Sequence, residues 1–185
     1  MLVACKMAGT IFLIGCAYIF QIPWAMQVGL AYALLGDLSF CVVNDYFPLP
    51  VLFFTCSHLL YMLHYGDPEN ISQFIHGGIL LMSLCLSLNV LGVINKDTSN
   101  GIAIAQYTVV MAYILVQSSD KFHLYYGYVL FVLSDILIFI TDYIVHYRIS
   151  KYLTLVLYYL AQCVLLAGSG NFPCLRIPQK PVIIT

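Results

Sequence analysis

Residues 24–43 read WAMQVGLAYALLGDLSFCVV and residues 123–145 read HLYYGYVLFVLSDILIFITDYIV. Each run is long enough to cross a hydrocarbon layer of about 30 Å as a helix. Each is also interrupted by an acid near its middle, Asp37 in the first and Asp135 in the second. A carboxylate at mid-membrane depth costs roughly 2.5–3.5 kcal/mol on insertion scales. The chain carries that cost twice, which predicts that the two carboxylates are used.

The rest of the chain has the same character. Hydrophobic residues make up 62 % of it and charged residues 8 %, against about 25 % charged in soluble domains; its mean hydropathy is +0.94. At about 20 residues per span, 185 residues hold roughly six to eight transmembrane helices. The apolar runs are continuous and do not alternate every second residue, which excludes a β-barrel reading. The fold class is therefore all-α, a polytopic transmembrane helical bundle of about seven helices. They are placed at about 2–22, 24–43, 50–66, 74–94, 101–118, 123–147 and 151–169. Pro23, the stretch from Asn44 to Pro50, Gly66-Asp67-Pro68-Glu69-Asn70, the stretch from Asn95 to Gly101, Ser118 to Lys121 and Arg148 to Lys151 supply the breaks. One helical domain is expected over residues 1–170, with an irregular proline-containing tail over 171–185. The first run has little basic residue ahead of it and no small-residue cleavage site, so it is expected to be retained as a helix. A net charge of −1 without a basic run excludes nucleic acid as a partner. Seven cysteines without CxxC spacing read as small packing residues.

The polar residues inside the spans carry the candidate chemistry. Leu35-Gly36-Asp37-Leu38 and Leu133-Ser134-Asp135-Ile136 repeat one pattern, with a small residue ahead of each acid. The second and sixth spans run in the same direction, so the acids share a depth, and Gly36 and Ser134 allow close helix approach. The two carboxylates are expected to face one cavity; the plainer alternative is that each caps a neighbour or that one pairs with Lys6. His58, Tyr61 and Tyr65 share a helical face, and Asp135, Asp142 and His146 form a polar stripe on the sixth span. Asn89, Gln106, Gln117 and Gln162 bridge helices, with Tyr158, Tyr159 and Gln162 together on the last one. Lys6 is the cation deepest in a predicted span; it snorkels to the interface or meets a lipid phosphate. The sequence has no GxSxG, no HExxH and no phosphate-cradling glycine loop. Its histidines and acids lack metal-ligand spacing, so no metal and no other cofactor is expected.

Four pieces together resemble the YhhN-like lysoplasmalogenase family. They are Gly29-Leu30 through Gly36-Asp37, Phe53 to Tyr61 with His58, Leu130 to Asp135, and Tyr158-Tyr159-Leu160-Ala161-Gln162. Lys6 resembles that family's Lys-Pro near the start of its second helix, with Met7 in the place of the proline. The family has eight helices, and on this correspondence the first of them is missing ahead of Lys6. The resemblance implies an integral membrane protein of the endoplasmic reticulum or another cellular membrane. It implies hydrolysis of the vinyl ether of a lysophospholipid to a fatty aldehyde and a glycerophospho-ethanolamine or glycerophosphocholine. It further implies Asp37 and Asp135 as catalytic carboxylates, with His58, Tyr61, Tyr159, Gln162 and Lys6 in support. The chemistry needs one neutral acid and one nearby anion, as paired carboxylates supply in glycoside hydrolysis.

Three rivals stand beside that reading. A membrane lipid hydrolase would gather His58, Asp135 and His146 around a metal. A proton-coupled transporter would alternate Asp37 and Asp135 between protonated and ionised forms. An inactive structural member would use neither.

Overall fold

Six helices make up the described residues of the computed structural model, which are 2–42, 46–65, 94–143 and 148–169, excepting the side chains of 2–5, 139–143 and 148–150. They are α1 (Leu2–Ile19), α2 (Trp24–Val42), α3 (Pro48–Tyr65), α4 (Lys96–Gln117), α5 (Phe122–Tyr143) and α6 (Arg148–Gly168). The chain is thus an all-helical polytopic bundle, as the apolar runs predict. The helix expected at about 74–94 and the tail over 171–185 lie outside the described residues.

The helix ends have local causes. After α1, the Ile22 N–H donates to the Ala17 carbonyl (2.9 Å) and the Gln21 N–H to the Tyr18 carbonyl (3.2 Å), with Gln21 at φ 50°. This is a Schellman turn built without glycine; Pro23 follows it, and α2 begins at once. Pro48 and Pro50, read from the sequence as part of a break, instead occupy the first turn of α3, where a missing N–H is harmless. The fourth described helix begins at Lys96, five residues ahead of the expected Gly101. Asn95 is the reason: its side chain accepts from the Thr98 N–H at 2.8 Å, and Asp97 adds a favourable charge to the first turn.

Packing follows small residues and shared hydrogen bonds. α2 lies antiparallel on α3, with Gly29 against Ser57 and Tyr61 and Gly36 against the Phe54 ring. α5 lies antiparallel on α6, where Gly127 meets Leu165 and the Ser134 hydroxyl donates to the Thr154 carbonyl at 3.1 Å. α3 and α4 run in the same direction, since the Phe47 N–H donates to Asn100 Oδ1 at 3.0 Å and Val51 packs with Ala103. That is the relation expected of the third and fifth of seven antiparallel spans. α3 and α6 are parallel too: the Tyr61 hydroxyl donates to Gln162 Oε1 at 2.7 Å and the Tyr65 hydroxyl to the Leu165 carbonyl at 2.6 Å. It follows that α2 and α5 share a direction. Asp37 is the fourteenth residue of α2 and Asp135 the fourteenth of α5, so the depths match as expected.

Met26, Leu30, Tyr61, Ile114, Tyr128, Phe131 and Leu165 fill the centre, while Phe12, Tyr18, Trp24, Val116 and Phe122 stand on the outside. Helices apolar on both faces suit a lipid surround. α2, α4 and the Lys151–Gly168 stretch of α6 are long and apolar enough to cross a membrane. Shorter apolar stretches run over Lys6–Ile19 and Phe122–Ile138.

Gly29 tests this packing. A Cβ there would sit 2.5 Å from the Tyr61 ring and 3.1 Å from the Ser57 carbonyl oxygen, and Tyr61 is fully buried with its hydroxyl held by Gln162. Gly29→Ala is expected to destabilise the bundle by about 1–3 kcal/mol, read as a lower melting temperature in detergent. Gly15→Ala is the control, because a Cβ at Gly15 meets nothing within 4 Å. An equal drop in both variants would refute the close α2–α3 contact.

Candidate active site

All six described helices, together with Phe47 just ahead of α3, contribute to one apolar cavity of about 470 Å³. α4 supplies the longest stretch of wall, from Ile104 through Tyr107, Thr108, Met111 and Ala112 to Leu115. α5 brings Phe131, Val132, Asp135, Ile136 and Ile138, and α1 and α6 bring Lys6 and Tyr158. Against this apolar wall, two polar constellations stand out.

The first is centred on Asp37. Its side chain is fully buried, and Oδ1 lies 2.8 Å from Lys6 Nζ. Oδ2 accepts from the Tyr158 hydroxyl at 3.2 Å and lies 3.1 Å from the Thr10 hydroxyl. Thr10, one helical turn after Lys6, can donate instead to the Lys6 carbonyl at 3.2 Å, and Tyr159 also donates to that carbonyl. The Lys6 side chain keeps 22 % exposure and its ammonium lies 5.7 Å from the Phe40 and Phe54 ring centres and 5.0 Å from that of Tyr158. These aromatic faces and the carboxylate together stabilise a cation in apolar surroundings. Of the alternatives for Lys6, the structure has it pairing with Asp37.

The second is centred on Asp135. Oδ2 accepts from the Tyr107 hydroxyl at 3.1 Å, and the same hydroxyl oxygen lies 3.1 Å from His58 Nε2. His58 is fully buried; its ring packs edge-on against Phe131 at 4.7 Å, and its carbonyl accepts from the Tyr128 hydroxyl at 3.2 Å. Asp135 itself forms part of the cavity wall.

The two acids are thus placed differently. Asp135 faces the cavity, whereas Asp37 lies behind Lys6 and Tyr158, which do line it. Tyr61 and Gln162 join α3 to α6 away from the cavity wall, and Tyr159 joins α6 to α1 through Lys6. His58 reaches the cavity only through Tyr107. Asp142 lies in the last turn of α5, but its side chain is not described, and His146 and Asn89 lie outside the described residues. Among the described residues no three His, Cys, Asp or Glu side chains converge as metal donors.

Sequence reasoning passed over Tyr107 and Thr10. Tyr107 is one of fifteen tyrosines, and nothing in its own run sets it apart. Thr10 carried a signal, standing four residues after Lys6, the lysine inside the first apolar run, on the same helical face.

Among curated proteins and among solved structures nothing matches this chain. The model of the YhhN family does match, over residues 1–169, a span that takes in all six described helices and both carboxylates. The chain therefore belongs to the YhhN family, which includes lysoplasmalogenases.

Proposed function

We propose that the protein hydrolyses the vinyl ether bond of lysoplasmalogens, releasing a fatty aldehyde and a glycerophospho-ethanolamine or glycerophosphocholine. The observation that carries this reading is one carboxyl, Asp135, in the wall of a cavity that is otherwise almost wholly apolar and that also presents a cation, Lys6. Ligand sites run from roughly 300 to 1,000 Å³, and a cavity of about 470 Å³ suits one chain better than two. A single-chain amphiphile with an anionic phosphate meets both demands: Lys6 faces the phosphate and the apolar wall of α4 faces the chain.

Asp135 is then the acid. In its protonated form it gives its proton to the β-carbon of the vinyl ether, the π pair forms the new C–H bond, and an oxocarbenium ion results. Water adds to the α-carbon and returns a proton to Asp135, leaving a hemiacetal. That hemiacetal collapses as its hydroxyl proton passes to the glycerol oxygen, giving aldehyde and alcohol; one water is consumed and no proton is gained or lost. Asp37 keeps Lys6 in place at the cavity wall, and the carboxylate that proton transfer leaves on Asp135 is opposite in sign to the cation that forms. The bilayer delivers the substrate laterally, and no cofactor enters any step.

The test is aldehyde release by the purified protein from a lysoplasmalogen and from its ester-linked lysolipid counterpart. The expected result is aldehyde from the vinyl ether and no fatty acid from the ester. Ester cleavage that stops with a chelator and returns with zinc would instead support the metal-dependent lipid hydrolase. Proton-coupled flux in proteoliposomes without product would support a carrier.

A further inference from the structure

Tyr107 and His58 have no part in the cleavage steps above, yet their polar atoms form a continuous line to the acid. A tyrosine hydroxyl has one proton and can accept at its oxygen. Tyr107 is within 3.1 Å of both Asp135 Oδ2 and His58 Nε2. Once Asp135 has lost its proton it can only accept, so the Tyr107 proton points to Oδ2 and the Nε2 position must donate. His58 Nδ1 is buried with no hydrogen-bond partner, and a bare lone pair there is better tolerated than a bare N–H. The neutral Nε2–H tautomer satisfies every one of these constraints.

We infer that Tyr107 and His58 are positioning residues for Asp135: Tyr107 holds Oδ2 so that the acid proton resides on Oδ1, and His58 keeps the Tyr107 proton directed at Asp135. The inference rests on the vinyl ether reading and extends it to the hydroxyl that bonds the acid and the imidazole that bonds that hydroxyl. As the Oδ1–H bond breaks and the proton joins the β-carbon, the electron pair stays on Asp135. The Tyr107 bond then becomes charge-assisted, roughly twice as strong as a neutral one, so it favours the transition state over the ground state. The His58 N–H, donating to the same oxygen, polarises it further. Tyr107 lines the cavity, but Tyr107→Phe keeps its ring there, and His58 lies off the cavity wall, so these changes act on turnover and leave substrate binding alone.

The experiment measures kcat and KM for aldehyde release from lysoplasmalogen in wild type, Tyr107→Phe, His58→Gln, His58→Leu and the Tyr107→Phe/His58→Leu double variant. Tyr107→Phe is expected to lower kcat by about 10²-fold, the loss typical for one donor to a developing anion, with KM changed by no more than about threefold. His58→Leu is expected to lower kcat by about tenfold, while His58→Gln, which keeps an N–H toward Tyr107, returns most of it. In the double variant the His58 change adds nothing, because its effect passes through the missing hydroxyl. The two His58 variants read the same line without altering the cavity wall, so the test stands even where Tyr107→Phe folds poorly. Full kcat in Tyr107→Phe, equal kcat in His58→Gln and His58→Leu, or additive losses in the double would overturn the inference while leaving the vinyl ether reading intact. A wild type that releases no aldehyde overturns both.

Discussion

Asp135→Asn will stop aldehyde release while leaving the fold in place. The carboxamide still offers an oxygen to the Tyr107 hydroxyl that now donates to Oδ2 at 3.1 Å, so the local packing is kept. It cannot protonate carbon, and loss of a general acid lowers turnover by about 10²- to 10⁴-fold. The measurement pairs single-turnover aldehyde release with a melting curve in the same detergent. A variant that melts with wild type and keeps more than about a tenth of its turnover would exclude Asp135 as the acid. Asp135 is the more informative acid to change because it lines the cavity.

Asp37→Asn is expected to act first on stability. It removes one partner of an ion pair in which the carboxylate is fully buried and the lysine keeps 22 % exposure. Breaking a buried pair from one side costs about 3–5 kcal/mol, and the residual exposure of Lys6 puts the expected loss near the lower end, about 3 kcal/mol. Lys6→Met should cost a similar amount, since it leaves the buried carboxylate with only the Thr10 and Tyr158 hydroxyls. Lys6→Met/Asp37→Asn removes both charges, retains an oxygen for those hydroxyls, and should recover most of the lost stability. Its KM for lysoplasmalogen should stay raised, because the cavity wall has lost its cation. Additive destabilisation in the double variant would show that the two charges do not stabilise each other; an unchanged KM would remove Lys6 from substrate binding.

The membrane character and the helices were legible because both follow from local properties of the chain. The continuous apolar runs located the described helices, and the even count between the second and sixth spans placed Asp37 and Asp135 at one depth on parallel helices. Helix starts were less legible. Pro48 and Pro50 punctuate a sequence and also open a helix, and only the backbone shows which. Asn95 stands in a polar run that reads as a loop, although an Asn followed by an acid within the next turn is itself a helix-start signal.

The site divides along the same line. A charged residue in an apolar run costs enough to be noticed from composition alone, so Asp37, Asp135, His58 and Lys6 all stood out in the sequence. Their partners did not, because partnership depends on where helices cross. Thr10 and Asp37 are 27 residues apart, Tyr107 and Asp135 28, and Tyr158 and Asp37 121. Local properties of the chain are enough to specify a polytopic helical membrane protein with two acids at matched depth, since insertion energy and helical rise are local and additive. Helix packing, in contrast, is what puts Asp37 behind Lys6 and Tyr158 and sets Asp135 in the cavity wall beside Tyr107, with His58 behind that tyrosine. The chain order specifies the spans, but the close approach at Gly9, Gly29, Gly36 and Gly127 sets how the helices turn toward one another, and that rotation determines which side chain reaches the cavity.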